Sequence, residues 1–284
     1  MESSFVIRQL LNGLTLSFIF VLVALGLSVI FGLMRILNMA HGEFFILGAY
    51  VVYWITSTGA GFWIGVIAAP IALGLFGYAF QKGLLRFLQR DPNTALLVTW
   101  GLGMILRQTL QLVMGPSALY VANPFPGSVS LFGVAYPLYR LVMMAIGAAV
   151  VMALLLVYLR SRFGLQLRAT IHNREMASAI GINAERVTAI SFVVGSSLAG
   201  LAGAMLSPLI PIAPLTGLTY LIKSFFVVVI GGAGNLVGTI AGGFVIGGSE
   251  SLFQFLVNPV MAEMLVFCLA LAIVAVRPRG LVRN

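Results

Sequence analysis

The sequence predicts an all-α protein that crosses a membrane many times, and its composition is the first reason. Hydrophobic residues make up 61% of the 284 residues, and charged residues only 8%. A soluble domain carries about 25% charged residues, so a soluble surface cannot be built from this chain. The long apolar segments favour helices over a β-barrel, whose strands would alternate in polarity. At about 20 residues per span, we expect a transmembrane bundle of about eight to nine hydrophobic segments, some broken or re-entrant, in one domain over 1–284.

Nine apolar runs are the candidate helices. They cover about 10–33, 39–56, 61–81, 94–114, 139–159, 188–207, 217–231, 236–256 and 260–276. The runs 39–56 and 217–231 are short or interrupted, so whether they cross fully stays open. The first run is too long for the apolar part of a signal peptide and no small-residue cleavage site follows it, so we expect no cleavable leader.

The basic residues predict the orientation, because they fall in three clusters between apolar runs. These clusters are Lys82, Arg86 and Arg90, then Arg160, Arg162, Arg168, Arg174 and Arg186, and finally Arg277, Arg279 and Arg283. Cytoplasmic loops are rich in Lys and Arg, so we expect all three in the cytoplasm. The segment 115–137 has four prolines and no charge, and is expected outside. Nine crossings then place the N-terminus outside and the C-terminus in the cytoplasm.

Small residues are the next feature, with 32 glycines in the chain. Gly195, Gly200 and Gly203 recur at helical spacing, and 231–248 contains several small-xxx-small pairs. Such residues let helix backbones approach closely in lipid, and packing is a simpler interpretation than a ligand site. The pair Phe44-Phe45 and the pair Phe225-Phe226 each precede a span rich in small residues. This weak echo predicts two related halves, as in many transporters.

The segment 38–43 contains the candidate residues for a substrate pathway, namely Asn38, His41, Gly42 and Glu43. Polar groups near membrane depth are costly unless they are paired or face water. The glycine permits a break in the helix, and freed helix ends carry partial charges that suit a zwitterionic substrate. The alternative is a structural turn in which Arg35 pairs with Glu43. His41 is expected to be a hydrogen-bonded structural residue, and we expect no metal site.

Four ionisable residues lie alone inside other predicted spans, namely Arg107, Lys223, Glu250 and Glu263. Each is expected to face the bundle interior, an interface or a partner subunit. A pathway lining and a structural ion pair are equally compatible with them. Proton coupling would need a chain of carboxylates, and the sequence spacing offers no close pair of intramembrane acids.

The loop 160–187 concentrates charge, with five of the 16 basic residues and two of the seven acids. A helix-compatible polar loop in so apolar a chain indicates a docked soluble partner. Glu175, Ala177 and Gly181 keep a spacing that resembles the EAA loop of ABC-importer permeases, which fits a groove on the ATPase, although Met176 stands where that loop has Ala. Arg168 and Arg174 join them as candidate ATPase-coupling residues. The alternative is a loop that binds lipid head groups.

Several kinds of site are absent from the sequence. There is no G-x-x-x-x-G-K-[ST] motif, so the chain has no ATP site of its own. No Ser/His/Asp arrangement, His/Cys cluster or cofactor fingerprint is recognisable. We therefore expect a non-catalytic subunit that has neither catalytic residues nor a bound cofactor.

The segment Gly32–Tyr50, which reads GLMRILNMAHGEFFILGAY, strongly resembles the signature of branched-chain amino acid ABC-transporter permeases. The chain is similar to the smaller, H-type subunit of the leucine/isoleucine/valine system. Arg168-Ala-Thr170, Asn173–Ala177, Gly181-Ile-Asn183 and Gly231–Gly238 also match, so the resemblance spans nearly the whole chain.

The resemblance implies partners and a mechanism. It implies a heterodimer with a second homologous permease, two cytoplasmic ATPases that bind ATP and Mg, and a periplasmic binding protein that docks near 115–137. In the bacterial inner membrane, such a pair would import leucine, isoleucine or valine by ATP-driven alternating access. The family also covers urea, short-chain amides and other amino acids. An ATP-independent secondary transporter or channel is the rival class, followed by a membrane scaffold.

Overall fold

The chain folds into a helical bundle. The computed structural model describes residues 2–88, 91–131, 133–277 and 280–282. The helices are α1 (Glu2–Met34), α2 (His41–Ser57), α3 (Phe62–Phe80), α4 (Arg86–Leu88), α5 (Pro92–Met114), α6 (Leu138–Arg160), α7 (Arg162–His172), α8 (Arg174–Ala179), α9 (Ala184–Leu206), α10 (Thr216–Gly231), α11 (Leu236–Leu256) and α12 (Pro259–Val276). A π-helical turn (Gln81–Leu85) joins α3 to α4, and two short strands, β1 (Ser128–Leu131) and β2 (Val134–Pro137), form an antiparallel hairpin.

The predicted fold class is confirmed, with a lower count of long spans. Within the described residues, seven helices are long and apolar enough to cross a membrane: α1, α3 with its continuation, α5, α6, α9, α11 and α12. The other two predicted segments are also helices, but α2 has 17 residues and α10 has 16. About 20 residues are needed to span a bilayer. These two helices are shorter than that, because they begin inside the bundle.

The two halves of the bundle exchange their first helices. Helix α1 packs against α10 and α11 of the second half, whereas α9 packs against α2 and α3 of the first. Helices α1 and α9 also contact each other, as do α2 and α10. The order α1-α2-α3-α5 therefore corresponds to α9-α10-α11-α12. This arrangement agrees with the two related halves that the sequence predicts.

Glycines make the central contacts close. A Cβ added at Gly203 would lie 1.7 Å from the Phe45 carbonyl oxygen, and one at Gly48 would lie 2.1 Å from that of Gly200. A Cβ at Gly195 would lie 2.7 Å from the Gly26 carbonyl oxygen. The helix backbones touch at these positions, as expected for small residues at helix interfaces in lipid.

The two ends of the bundle differ in charge. At one end, Arg86 lies 3.9 Å from Glu185 of α9, and a cavity is lined by Arg35 together with residues of α7. At the other end lie the β-hairpin and the loop before it, where the backbones of Leu119 and Ile212 pair. The predicted basic clusters thus share one end, with the exception of Arg90, Arg279 and Arg283, which lie outside the described residues.

Candidate functional site

The segment between α1 and α2 turns back into the bundle. Arg35 follows α1 with a left-handed backbone (φ 51°). Six residues after Arg35, the His41 Nε2 atom lies 3.0 Å from the carbonyl oxygen of Val23, in the middle of α1. Because a carbonyl can only accept, Nε2 carries the hydrogen. Helix α2 therefore begins beside the middle of α1, in the interior of the bundle.

The predicted pathway residues are enclosed by protein. Asn38, His41 and Glu43 are 1%, 0% and 1% exposed. The Asn38 side-chain oxygen accepts from the Ala40 amide at 3.1 Å. Asn38 Nδ2, His41 Nδ1 and Glu43 Oε2 are buried and have no hydrogen-bond partner within the described part of the chain. Buried polar atoms without partners are uncommon, so these three could serve a ligand or a rearranged state.

Glu43 is paired with Arg107, not with Arg35. The Arg107 Nε atom donates to Glu43 Oε1 at 3.1 Å, and the two charged groups form a salt bridge between α2 and α5. Arg35 is instead exposed at the end of α1. The Arg35–Glu43 pair, which belonged to the alternative interpretation of the motif as a structural turn, is therefore wrong. The physical reason is that α2 runs back into the bundle alongside α5. Just before α2, the Met39 amide donates to the Thr99 hydroxyl of α5, and Arg107 lies about two turns further along α5.

The remaining isolated charges form one cluster in the second half. Lys223 Nζ of α10 lies 2.8 Å from Glu250 Oε1 of α11 and 3.4 Å from Glu263 Oε1 of α12. Gln254 also donates to Glu250 at 3.1 Å. Two intramembrane acids thus share one lysine, although the sequence spacing offered no close pair of acids. The two acids lie on adjacent helices and not on one, so spacing along the chain did not reveal that they are close.

Helices α2 and α10 meet at their N-termini. A Cβ at Gly42 would lie 2.3 Å from the Gly217 carbonyl oxygen, and one at Gly217 would lie 2.5 Å from that of Gly42. Three residues further along each helix, the rings of Phe45 and Tyr220 stack with centroids 4.3 Å apart. The equal Gly-x-x-aromatic spacing could have revealed Gly217 and Tyr220 in the sequence. The predicted echo aligned Phe44-Phe45 with Phe225-Phe226. That register is wrong, because Phe45 corresponds to Tyr220 when residues are counted from the start of each helix.

The loop between α6 and α9 forms two short helices at the basic end. Asn173 caps α8 by accepting from the Met176 amide at 3.0 Å, and Gly181 ends its turn with a φ of 89°. Ala177 is 2% exposed, whereas Met176 and Ile180 are 62% and 69% exposed. Helix α8 thus anchors one small side chain in the bundle and presents apolar groups to solvent.

The predicted coupling residues divide between the surface and the interior of this loop. Glu175 is exposed on α8, and Gly181 lies in an open turn where an added Cβ would meet no other atom within 4 Å. Arg174 is half-buried. Arg168 donates to the Tyr158 carbonyl, and its guanidinium lies 5.1 Å from the Tyr158 ring centroid. Arg168 therefore holds α7 against α6, while Glu175 and Gly181 are free to meet a partner.

Comparisons with known proteins agree on one family. Residues 9–275 match the family described as branched-chain amino acid transport system permease component. The chain is 27% identical to the high-affinity branched-chain amino acid transport system permease protein LivH of Salmonella typhimurium, over 97% of this chain and 94% of LivH. It is 25% identical to the corresponding permease protein BraD of Pseudomonas aeruginosa, over 97% of this chain and 95% of BraD.

Two further similarities are more distant. The permease protein LivM of Salmonella typhimurium is 25% identical, over 78% of this chain and 58% of LivM. The solved structure of PsaBC from Streptococcus pneumoniae in complex with Fab contains a chain with a TM-score of 0.51 and 17% identity, which covers 97% of this chain and 95% of that one. The latter likeness concerns the fold alone.

Proposed function

The chain belongs to the family of branched-chain amino acid transport system permeases, and on that premise we propose that it is one membrane subunit of an ATP-driven importer of leucine, isoleucine and valine. The observation that carries the proposal is the surface of α8. Met176 and Ile180 are exposed beside Glu175, at the end of the bundle that holds the basic clusters. Exposed apolar groups within a charged face are typical of a protein interface.

The partners follow from this surface and from the family. Of two cytoplasmic ATPases, which bind ATP and Mg, one would dock on α8 and move this chain through α7, and the other would dock on the second permease. Similarity to both LivH and LivM supports pairing with a second, homologous permease. A periplasmic binding protein would dock at the opposite end, on the uncharged loop 115–137. The positive-inside rule then places the basic end and the C-terminus in the cytoplasm of a bacterial cell.

The route of the substrate is proposed to open at the junction of α2 and α10. Asn38, His41, Gly42 and Glu43 lie at the start of α2, and three of their polar atoms have no partner within the described residues. No side chain lies between the two helices at this point, since Gly42 faces Gly217. Movement of α10 away from α2 would expose these atoms and the positive N-termini of both helices to a zwitterionic amino acid.

The test is uptake of labelled leucine in cells that express this chain with its partner subunits. The double variant Glu175→Ala/Met176→Asp changes only exposed side chains of α8, and we expect uptake to fall by about tenfold or more because ATPase docking is lost. The matched control is Glu185→Ala, an exposed acid on the same end whose side chain lies outside α8. It should leave uptake and membrane abundance unchanged.

Three results would contradict the proposal. Normal uptake by the double variant would exclude α8 as the coupling surface. Uptake that persists without ATPase subunits and follows an ion gradient would assign the chain to secondary transport. Displacement of leucine by urea or a short-chain amide, but not by isoleucine or valine, would move the substrate to another branch of the family.

A further inference from the structure

A cavity of about 450 Å³ opens at the basic end of the bundle. The ends of α1, α6 and α7 and the turn between α10 and α11 form its walls. Phe31, Tyr158 and Ile171 supply apolar surface, and the backbone of Ala233 and Gly234 closes one side. This cavity is separate from α8 and from the junction of α2 and α10.

The charge of the cavity has one sign. Arg35, Arg168 and His172 line it, and none of the described residues in its wall is acidic. Arg35 forms no ion pair with any described residue. The N-terminus of α11 begins beside Gly234 and adds a positive dipole end. Such a cavity favours an anion with several acceptor oxygens, such as a phosphate group.

One of the cationic groups, Arg168, is held in place before any ligand binds. Arg168 donates to the Tyr158 carbonyl and lies over the Tyr158 ring, so its guanidinium has a fixed position on the wall. Arg35 adopts a left-handed backbone with φ 51°, which directs the chain from α1 into the segment that leads to α2. A fixed donor costs less ordering on binding than a flexible one.

Helix α6, whose Tyr158 lines the cavity, also carries an exposed apolar surface. In the last turns of α6, Met152, Leu156 and Leu159 are 57%, 52% and 54% exposed. Tyr158 lies on the same helix as this surface and lines the cavity, and tyrosine is typical of the level where lipid head groups meet the hydrocarbon. A ligand that fills both regions has a phosphate head and an apolar tail.

We propose that this cavity binds the head group of an anionic phospholipid, whose acyl chains lie along α6. Basic pockets between transmembrane helices at the cytoplasmic side are suited to such lipids. The lipid would bridge α1, α6 and α7, and α7 leads directly into α8. It would therefore fix the loop that the proposed function assigns to ATPase docking. The binding site itself depends only on the cavity and not on the transported substrate.

The test is native mass spectrometry of the full-length chain in detergent, titrated with phosphatidylglycerol or with phosphatidylcholine. We expect the chain to retain phosphatidylglycerol preferentially. Arg35→Asn removes the charge and keeps a residue that tolerates positive φ, and it should weaken phosphatidylglycerol retention by about fivefold. Arg35→Lys should retain most of the binding. The matched control is Arg162→Gln, an exposed arginine of α7 outside the cavity wall, which should change retention little.

A second variant of the cavity wall and competition by inorganic phosphate test the site further. His172→Gln, at the exposed end of α7, gives a second variant of the wall if Arg35→Asn is poorly folded by size-exclusion chromatography, and we expect about a twofold loss. Inorganic phosphate at millimolar concentration should fail to displace the lipid. Equal retention by Arg35→Asn, His172→Gln and Arg162→Gln would overturn the site. Displacement by inorganic phosphate would overturn the assignment to a lipid and indicate a free anion instead.

Discussion

The two halves of the bundle share one plan of helices and differ in how they neutralise buried charge. In the first half, Glu43 of the short helix α2 meets Arg107 of the outer helix α5. In the second half, Lys223 of the short helix α10 meets Glu250 and Glu263. The acid and the base have exchanged places, and the second cluster has one more acid than base. The tie between a short helix and its outer helix is thus kept in both halves while its chemistry changes.

The burial of the two clusters differs as well. The Arg107 side chain is 24% exposed, whereas the Lys223 side chain is 11% exposed and that of Glu250 only 5%. The carboxylate left behind would be deeply buried in both halves, since the side chain of Glu43 is 2% exposed and that of Glu250 is 5% exposed. In the second half, however, two acids would lose their cation instead of one. The cost of breaking a buried pair comes from the charge left behind, so the halves should respond unequally to equivalent substitutions.

The largest expected effect is that of Lys223→Met. It removes the only cation that the described residues give to Glu250 and Glu263, and should lower the free energy of unfolding by about 3–5 kcal/mol. Arg107→Met should cost less, because it leaves one carboxylate without its cation instead of two. The measurement is the unfolding midpoint of the purified chain by tryptophan fluorescence.

A compensating variant tests the cause. In Lys223→Met/Glu250→Gln, the most buried carboxylate is also neutral, and Glu263 remains as the more exposed acid at 39%. We expect this double variant to recover most of the loss. A larger shift for Arg107→Met than for Lys223→Met, or no recovery in the double variant, would show that packing rather than charge separates the halves.

The next effect should be equal in both halves. Gly42→Ala and Gly217→Ala each place a Cβ against the carbonyl oxygen of the other glycine, at 2.3 and 2.5 Å. Overpacking of this kind costs about 1–3 kcal/mol, and the same measurement of unfolding applies. Gly101→Ala is the control, because a Cβ there meets open space. Marked tolerance of one substitution alone would contradict a symmetric contact between α2 and α10.

A smaller effect is expected from the aromatic pair that follows these glycines. Phe45 and Tyr220 stack at 4.3 Å, one ring from each half. A double-mutant cycle with Phe45→Leu and Tyr220→Leu should give a coupling energy of about 0.5–1.5 kcal/mol. Tyr220→Phe retains the stacked ring and should change stability little. Strict additivity of the two leucine variants would show that the rings contribute only through burial.

Sequence reasoning predicted the bundle because hydrophobic length and composition are local properties. All nine apolar runs are helices, and the described residues of the three basic clusters lie at one end of the bundle, as the runs predict. The sequence did not show that α2 and α10 begin inside the bundle. For α2, that position depends on the turn at Arg35 and on the bond from His41 to Val23, and the latter is a contact between segments.

The candidate sites were predicted as groups of residues and not as partners. The motif 38–43 is buried and polar, as its position between two spans indicated. Its partner Arg107 lies 64 residues from Glu43, and no periodicity within one helix relates them. In the same way, Lys223 and Glu250 are 27 residues apart on different helices. The assignment of the motif to a substrate pathway, and of α8 to ATPase coupling, stays a prediction.

The smallest expected effect concerns how the outer helices of the two halves begin. Asp91 caps α5 and accepts from the amides of Asn93 and Thr94 at 3.1 and 3.3 Å, and Asn258 caps α12 and accepts from Met261 at 2.9 Å. Each cap is followed by proline, which suits the first helical position. Only the first cap can titrate. The Thr94 hydroxyl, the Thr94 amide and the Asn93 amide hold the pKa of Asp91 below its ordinary value.

This difference predicts an acid dependence in one half only. Because the folded pKa of Asp91 is depressed, its stabilisation is fully present above the ordinary aspartate pKa of about 4 and is lost as pH falls through the folded value. Asp91→Asn should match the parent chain near neutral pH and lose less stability on acidification. Asn258→Asp should do the reverse and add acid dependence to α12. The unfolding midpoint of the three proteins between neutral and acidic pH is the measurement. Parallel curves would mean that the charge of the α5 cap contributes nothing to stability, whereas the expected divergence would show that the two Asx-Pro starts differ in their titration.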